Sequence, residues 1–356
     1  MRAMPTLYRL TKGPFSLRVV HAGKRLIVGE GEDQIVQTFA SDAAAAEHLQ
    51  HMISRRRREG CRVETSEVGD PSELAEADPL TGVLKWDPER RRATISLHRV
   101  EAAARMCEAA LARMVQLQPT TLHVVCDPAS PGAAFASALA RAPLPSVERL
   151  ILDTPFQTVT RQRLNGFGDL ADALAGLPAL TAAFLTGDLV LRPTAHATLR
   201  NLFLLGDPLP SGLVASLGKS RLPSLQSLGL MLARDAAPGP EPAAAAALAS
   251  LQAPKLATLD VDGLADLTGF LSALSARPLP PSWTRLSLDG HVDDEDALLA
   301  LLEARAPVLR ALQVLGLPLT DALSEPGAAR AQQLVPGLVD REELPDRMLP
   351  ATYEEW

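Results

Sequence analysis

The chain has 356 residues, 47% of them apolar and 4% aromatic, which excludes wholesale disorder and requires a mostly aliphatic core. That length has room for one large domain with one or two small units. The net charge of −7 is uneven: residues 1–63 hold 11 Lys and Arg against 6 Asp and Glu, and the remainder 24 against 36, so a basic head precedes an acidic body.

The start, MRAMPTLYRL, has no apolar signal segment, and no run approaches the ~18 apolar residues of a membrane span. The expectation is a cytoplasmic protein that makes no membrane contact. Residues 1–64 form the first unit. Alternating segments from Leu7 to Leu10, Leu17 to Val20, Arg25 to Val28 and Ile35 to Phe39 read as strands, broken by Gly13-Pro14, Gly23 and Gly29-Glu30-Gly31. Ser41 suits a helix N-cap, with Asp42 in the first turn. Ala45, Leu49, Met52 and Ile53 then mark one helix face. The run Arg55 to Arg58 suits the carboxyl end of the helix dipole, and Gly60 stops the helix.

In Gly29-x-Gly31-x-x-Gln34, in Thr38-Phe39-Ala40-Ser41, in the Ala-rich helix and in the closing basic run with Gly60, this unit resembles the WGR domain. The resemblance covers about a sixth of the chain and implies a small sheet-plus-helix module. Where the family carries its Trp-Gly-Arg signature, this chain has Arg25-Leu26-Ile27. In poly(ADP-ribose) polymerases the module contacts DNA and neighbouring domains, with the signature residues contributing. That contact is therefore not carried over on those residues.

Residues 65–92, rich in Glu, Asp and Pro, read as a linker. A strand from Ala93 to Leu97 and a helix from Val100 to Gln116 follow, within residues 93–118. They are expected to cap the amino-terminal end of a repeat array, since an end repeat must cover apolar surface that has no next neighbour. From 119 to 324 a leucine phrase recurs. It runs Val147-x-x-Leu150-x-Leu152, Leu180-x-x-Ala183-x-Leu185, Leu199-x-x-Leu202-x-Leu204 and Leu225-x-x-Leu228-x-Leu230. It continues as Leu256-x-x-Leu259-x-Val261, Trp283-x-x-Leu286-x-Leu288 and Leu309-x-x-Leu312-x-Val314, after a weaker copy at Pro119-x-x-Leu122-x-Val124. Helical segments are expected between the phrases, at Ala133 to Ala140, Leu170 to Leu177, Gly212 to Leu217, Ala243 to Leu251, Ala265 to Leu274 and Ala297 to Leu302.

Strand and helix in alternation at this spacing resemble leucine-rich repeats of the α/β type. The resemblance implies an α/β fold: a leucine-rich-repeat horseshoe, a parallel strand–helix solenoid, behind a small N-terminal α+β WGR-like domain. The asparagine or cysteine that the family places after the last leucine is missing, so irregular bends are expected. Residues 325–356 carry no phrase and read as a carboxyl-terminal cap or tail.

No motif for a catalytic nucleophile, a phosphate loop, a dinucleotide site or a zinc protease is present. Cys61, Cys107 and Cys126 lack C-x-x-C spacing, so neither a disulfide framework nor a zinc site is indicated and a reducing compartment fits. His48 and His51 have no third ligand nearby, and Asp293-Asp294-Glu295-Asp296 reads as a helix start. No catalytic residue, metal or cofactor is expected, and the chain reads as a non-enzyme.

In each phrase the leucines point into the core, so the intervening residues face the concave side of the sheet. Ile151, Phe184, Phe203, Leu205 and Met231 are expected to form an exposed apolar patch there. Asp260, Asp262 and Asp289 are expected to form an acidic patch beside it. The function read from this is a protein–protein interaction scaffold or regulator that binds a macromolecular partner on the concave face. Arg55, Arg56, Arg57 and Arg58 are the candidates for phosphate contacts, which would make a DNA-associated regulator the alternative, its nucleic-acid binding weak and salt-sensitive. A second alternative is an accessory or inhibitory subunit of a partner enzyme.

Overall fold

A computed structural model describes residues 6–12, 15–28, 35–67, 83–97, 103–126, 132–153, 166–205, 211–231 and 241–344. The amino-terminal unit consists of β1 (Thr6–Lys12), β2 (Phe15–Ala22), β3 (Arg25–Val28), β4 (Ile35–Thr38), α1 (Asp42–Arg58) and β5 (Arg62–Glu67). The five strands pair antiparallel in the order β4-β3-β2-β1-β5. Ser41 caps α1 by accepting the Ala44 N–H at 3.1 Å. The helix buries Ala45, Leu49 and Ile53 against Leu10, Val19 and Leu26 of the sheet. It ends at Gly60, whose φ of +89° is a left-handed conformation that favours glycine.

The remaining strands are β6 (Leu84–Asp87), β7 (Arg92–Leu97), β8 (Thr121–Cys126), β9 (Arg149–Asp153), β10 (Gly166–Asp169), β11 (Ala182–Thr186) and β12 (Asp188–Val190). They continue as β13 (Asn201–Leu205), β14 (Ser227–Met231), β15 (Thr258–Leu264), β16 (Arg285–Gly290), β17 (Val314–Leu317) and β18 (Leu338–Asp340). Eleven of these make one sheet in the order β18-β17-β16-β15-β14-β13-β11-β9-β8-β7-β6. Every neighbouring pair in it is parallel except the β6–β7 hairpin. β10 and β12 form a separate two-stranded parallel sheet.

Parallel neighbours need long crossovers, and helices supply most of them. These are α2 (Ala103–Leu117), α3 (Gly132–Arg141), α4 (Ala171–Ala175), α5 (Ser211–Gly218), α6 (Glu241–Ala249), α7 (Leu267–Leu274), α8 (Glu295–Leu309), α9 (Leu319–Ala322) and α10 (Glu325–Leu334). The chain is thus a mixed α/β protein with a large, mostly parallel, open sheet. One core runs from Val83 to Leu338. It joins the phrase residues (Leu150 and Leu152, Leu202 and Leu204, Leu228 and Leu230) to helix residues such as Leu139, Leu217, Leu248, Leu271 and Leu302. Each leucine so buried contributes roughly 1.5–3 kcal/mol.

Consecutive repeats are also tied by backbone hydrogen bonds at the strand entrances. The Glu148 carbonyl accepts the N–H groups of Thr181 and Ala182, and the Thr181 carbonyl those of Arg200 and Asn201. The carbonyls of Arg200, Gln226, Ala257 and Thr284 repeat the pattern. This ladder needs no particular side chain.

Three expectations change. The segment read as a linker carries strand at both ends, since β5 extends to Glu67 and β6 occupies Leu84–Asp87 at the edge of the large sheet. The last phrase is displaced by three residues. Leu286 of β16 pairs with Leu315, so the true copy is Leu312-x-x-Leu315-x-Leu317, and Leu309 ends the 15-residue helix α8. The two spacings are identical in sequence, and only the length of α8 decides between them. Residues 325–340 are a further repeat: α10 leads into β18, with Val335 and Leu338 in the core and Asp340 in the place of the last leucine.

Candidate functional site on the open sheet face

Strand residues alternate between the helix-backed core and the opposite, open face. The side chains that the phrase was expected to send to the open face do lie there, in register. Ile151 pairs with Phe184, Phe184 with Phe203, Phe203 with Gly229, and Gly229 with Asp260. One position further, Leu205 pairs with Met231 and Met231 with Asp262.

Their exposure differs from the expectation. Ile151, Phe184 and Phe203 are 1%, 6% and 3% exposed and form a small core of their own, separate from the helix-backed one. The two phenyl rings lie 6.5 Å apart, tilted by 31°. The three side chains lie on adjacent strands, and Gly229 leaves the space into which the Phe203 ring extends. A Cβ at Gly229 would lie 2.4 Å from Phe203 Cδ1. Leu205 and Met231 are half-buried, so they are the open-face apolar residues of this group within reach of a partner.

The acidic patch is also closed. Asp260 and Asp262 are buried, and Arg341 covers them and Asp289. Arg341 Nε donates to Ser287 Oγ at 3.0 Å, Nη2 donates to Asp260 Oδ1 at 3.2 Å and to Asp262, and Nη1 lies 3.1 Å from Asp289 Oδ2. Arg341 opens a short 3₁₀ turn, Arg341–Glu343, that follows β18 and folds back over β16. Sequence reading missed Arg341. The available signal was three aspartates on the open face and three arginines in the acidic tail (Arg330, Arg341 and Arg347), with nothing in the pattern to choose among them.

At the other end of the face, Arg92 Nη2 donates to His123 Nδ1 at 2.9 Å, and His123 Nε2 stands 3.8 Å from Asp153 Oδ2. Asp153 Oδ1 is buried and accepts no hydrogen bond from the described residues. No set of three or more His, Cys, Asp or Glu among the described residues could hold a metal ion. No described helix is long and apolar enough to cross a membrane.

The candidate phosphate-binding run ends α1. Arg55 Nε and Arg56 Nη1 pair with Glu59 at 3.1 and 2.8 Å, and Arg58 Nε donates to the Ser54 carbonyl at 3.4 Å. Those two arginines hold the Glu59 carboxyl below the usual carboxylate range. Arg55, Arg57 and Arg58 are exposed. The acidic run at 293–296 is a helix start, as read: Asp294 accepts the N–H groups of Asp296 and Ala297.

No family model matches the chain, and no curated protein matches it. Among solved structures it is similar to the crystal structure of a protein from Bacteroides fragilis, 15% identical, with a TM-score of 0.41 over 96% of this chain and 98% of that one.

Proposed function

We propose that this chain is a non-enzymatic interaction scaffold or regulator: a WGR-like head joined to an irregular leucine-rich-repeat horseshoe whose concave, open sheet face receives a protein partner. One observation carries the reading. The sheet has a second face that the helix-backed core does not use, and on it the half-buried pair Leu205 and Met231 sits between the Ile151–Phe184–Phe203 cluster and the Asp260–Asp262–Asp289 group. Apolar side chains bordered by polar groups have the anatomy of a binding hot spot.

The test is affinity capture from native lysate with the wild-type chain and with Leu205→Glu/Met231→Glu, with and without nuclease and at two salt concentrations. A protein retained by the wild type through nuclease and salt, and lost by the folded variant, supports the reading. Equal retention by both removes the open face from the binding site. Recovery that collapses with nuclease would instead move the function to nucleic acid and to the end of α1, where two of the four arginines are engaged with Glu59.

A further inference from the structure

We propose that the group Asp260, Asp262, Ser287 and Asp289 is an arginine-recognition pocket, held closed in this state by the chain's own Arg341, and that an arginine-bearing segment of the partner displaces it. The proposal rests on the open-face reading above and names the chemistry of what that face receives.

The geometry selects a guanidinium. All three nitrogens of the Arg341 head are engaged: Nε by Ser287 Oγ, Nη2 by Asp260 and Asp262, and Nη1 by Asp289. A planar fork can address acceptors spread over two strands in this way, whereas an ammonium is a single point of charge. The ligand comes from far along the chain. Asp260, Asp262 and Ser287 are 81, 79 and 54 residues from Arg341, and among the described residues the acceptors that hold it lie on β15 and β16. The occupant is therefore separable from the site.

The filling segment begins directly after the last strand, where Asp340 ties it to Thr320 and to the Glu342 N–H. Residues 341–344 lie outside the strand ladder, with Leu344 packed near Gly316 of β17 and Arg341 as the buried member of the turn. The pocket also adjoins the apolar pair, because Met231 is in register with Asp262 and Leu205 with Met231. A partner segment that carries an arginine beside an apolar residue would meet both at once, while Arg341 remains a built-in competitor. A site occupied by its own competitor binds outside ligands more weakly in proportion to the time it is filled.

The experiment uses the full chain, the Arg341→Ala variant and a labelled peptide of the chain's own sequence LVDREEL, whose arginine is the Arg341 equivalent. Binding is read by fluorescence anisotropy at low and moderate salt. The expected result is binding to Arg341→Ala about tenfold or more tighter than to the wild type. A peptide with alanine for that arginine should lose the binding. Equal binding to both proteins, binding that ignores the peptide's arginine, or no binding at all overturns the proposal.

Should Arg341→Ala fail to fold, its recovery by small molecules decides the matter. Ethylguanidinium should restore a cooperative melt and ethylammonium at the same concentration should not, and equal effects of the two cations overturn the pocket's selectivity. The partner's identity plays no part in these readouts. A failure here leaves the effect of Leu205→Glu/Met231→Glu on capture to judge the wider reading.

Discussion

Asp340 accepts two hydrogen bonds from Thr320, one from its N–H at 2.8 Å and one from its hydroxyl at 2.6 Å. A third comes from the Glu342 N–H at 2.9 Å. In the earlier repeats a leucine or valine fills this strand position; here, on the edge strand of the sheet, a carboxylate ties α9 and the turn after β18 together. Burial works to raise the Asp340 pKa, but the Thr320 hydroxyl, the Glu342 N–H and the Thr320 N–H outweigh it and hold it below 3.8. A carboxylate lowered in the fold stabilises above its ordinary value and loses that contribution as pH falls through the folded value. Asp340→Ala should therefore cost about 1–3 kcal/mol at neutral pH, in chemical denaturation. It should also have a shallower loss of stability than the wild type below about pH 4.

His196 is fixed as the neutral tautomer protonated on Nε2. Its Nε2 donates to the Leu177 carbonyl at 3.1 Å, and its Nδ1 accepts the Leu199 N–H at 3.2 Å. Burial lowers its pKa below 6.5, although the Leu177 and Leu174 carbonyls pull the other way. The unfolded chain therefore takes up the proton first, and stability that is complete above about pH 6.5 declines as pH falls toward the folded value. His196→Ala should lose roughly 1–3 kcal/mol at pH 8, where the orphaned Leu199 N–H sets the cost. The variant should lack the wild type's decline between pH 6.5 and 5. A wild-type melting midpoint that is flat across that interval would refute the assignment.

How much of this was legible in the sequence follows from what the residues do. Leu150, Leu152, Leu228, Leu230 and Leu286 were placed in the core because a period-two strand offers one apolar face, and the parallel order followed from their regular return. The same parity placed Phe184, Phe203 and Asp260 on the open face. The cover over Asp260 was not legible, because it is Arg341, 81 residues away, and nor was the Phe203 ring entering the space above Gly229. The last repeat was hidden because Asp340 answers a polar demand at the sheet edge and so breaks the leucine phrase. The three-residue slip at Leu309 arose because α8 is longer than α3 to α7, the helices of the repeats just before it, and a local pattern does not count helix length.

Gly229 should prove intolerant of a side chain for a reason confined to one neighbour. Its missing Cβ leaves room for Phe203, whose Cδ1 and Cε1 would lie 2.4 and 2.8 Å from the added atom. Gly229→Ala should cost roughly 1–3 kcal/mol by forcing the ring out of place. In a Phe203→Ala background the same change should cost much less, with a coupling of about 0.5–3 kcal/mol in a double-mutant cycle. Additive effects would mean that the strand, not the ring, resists the substitution.

Cys107 lies on α2 with no exposed surface, and burial, aided by the charge of Glu108, pushes its thiol up from 9.0 to about 11. Two results follow. At pH 8 the folded chain should leave Cys107 unmodified by iodoacetamide, while Cys61, which is 8% exposed, reacts first and unfolding releases all three thiols; peptide-level mass spectrometry reads the order. A thiol raised in the fold also stabilises fully below its unfolded value and loses that contribution as pH climbs through the folded one. The wild type should therefore lose on the order of 2–3 kcal/mol between about pH 9 and 11 from this group. Cys107→Ala should be less stable at pH 7 but lose less on the alkaline side. If the two chains decline in parallel above pH 9, the thiol is not the group that titrates.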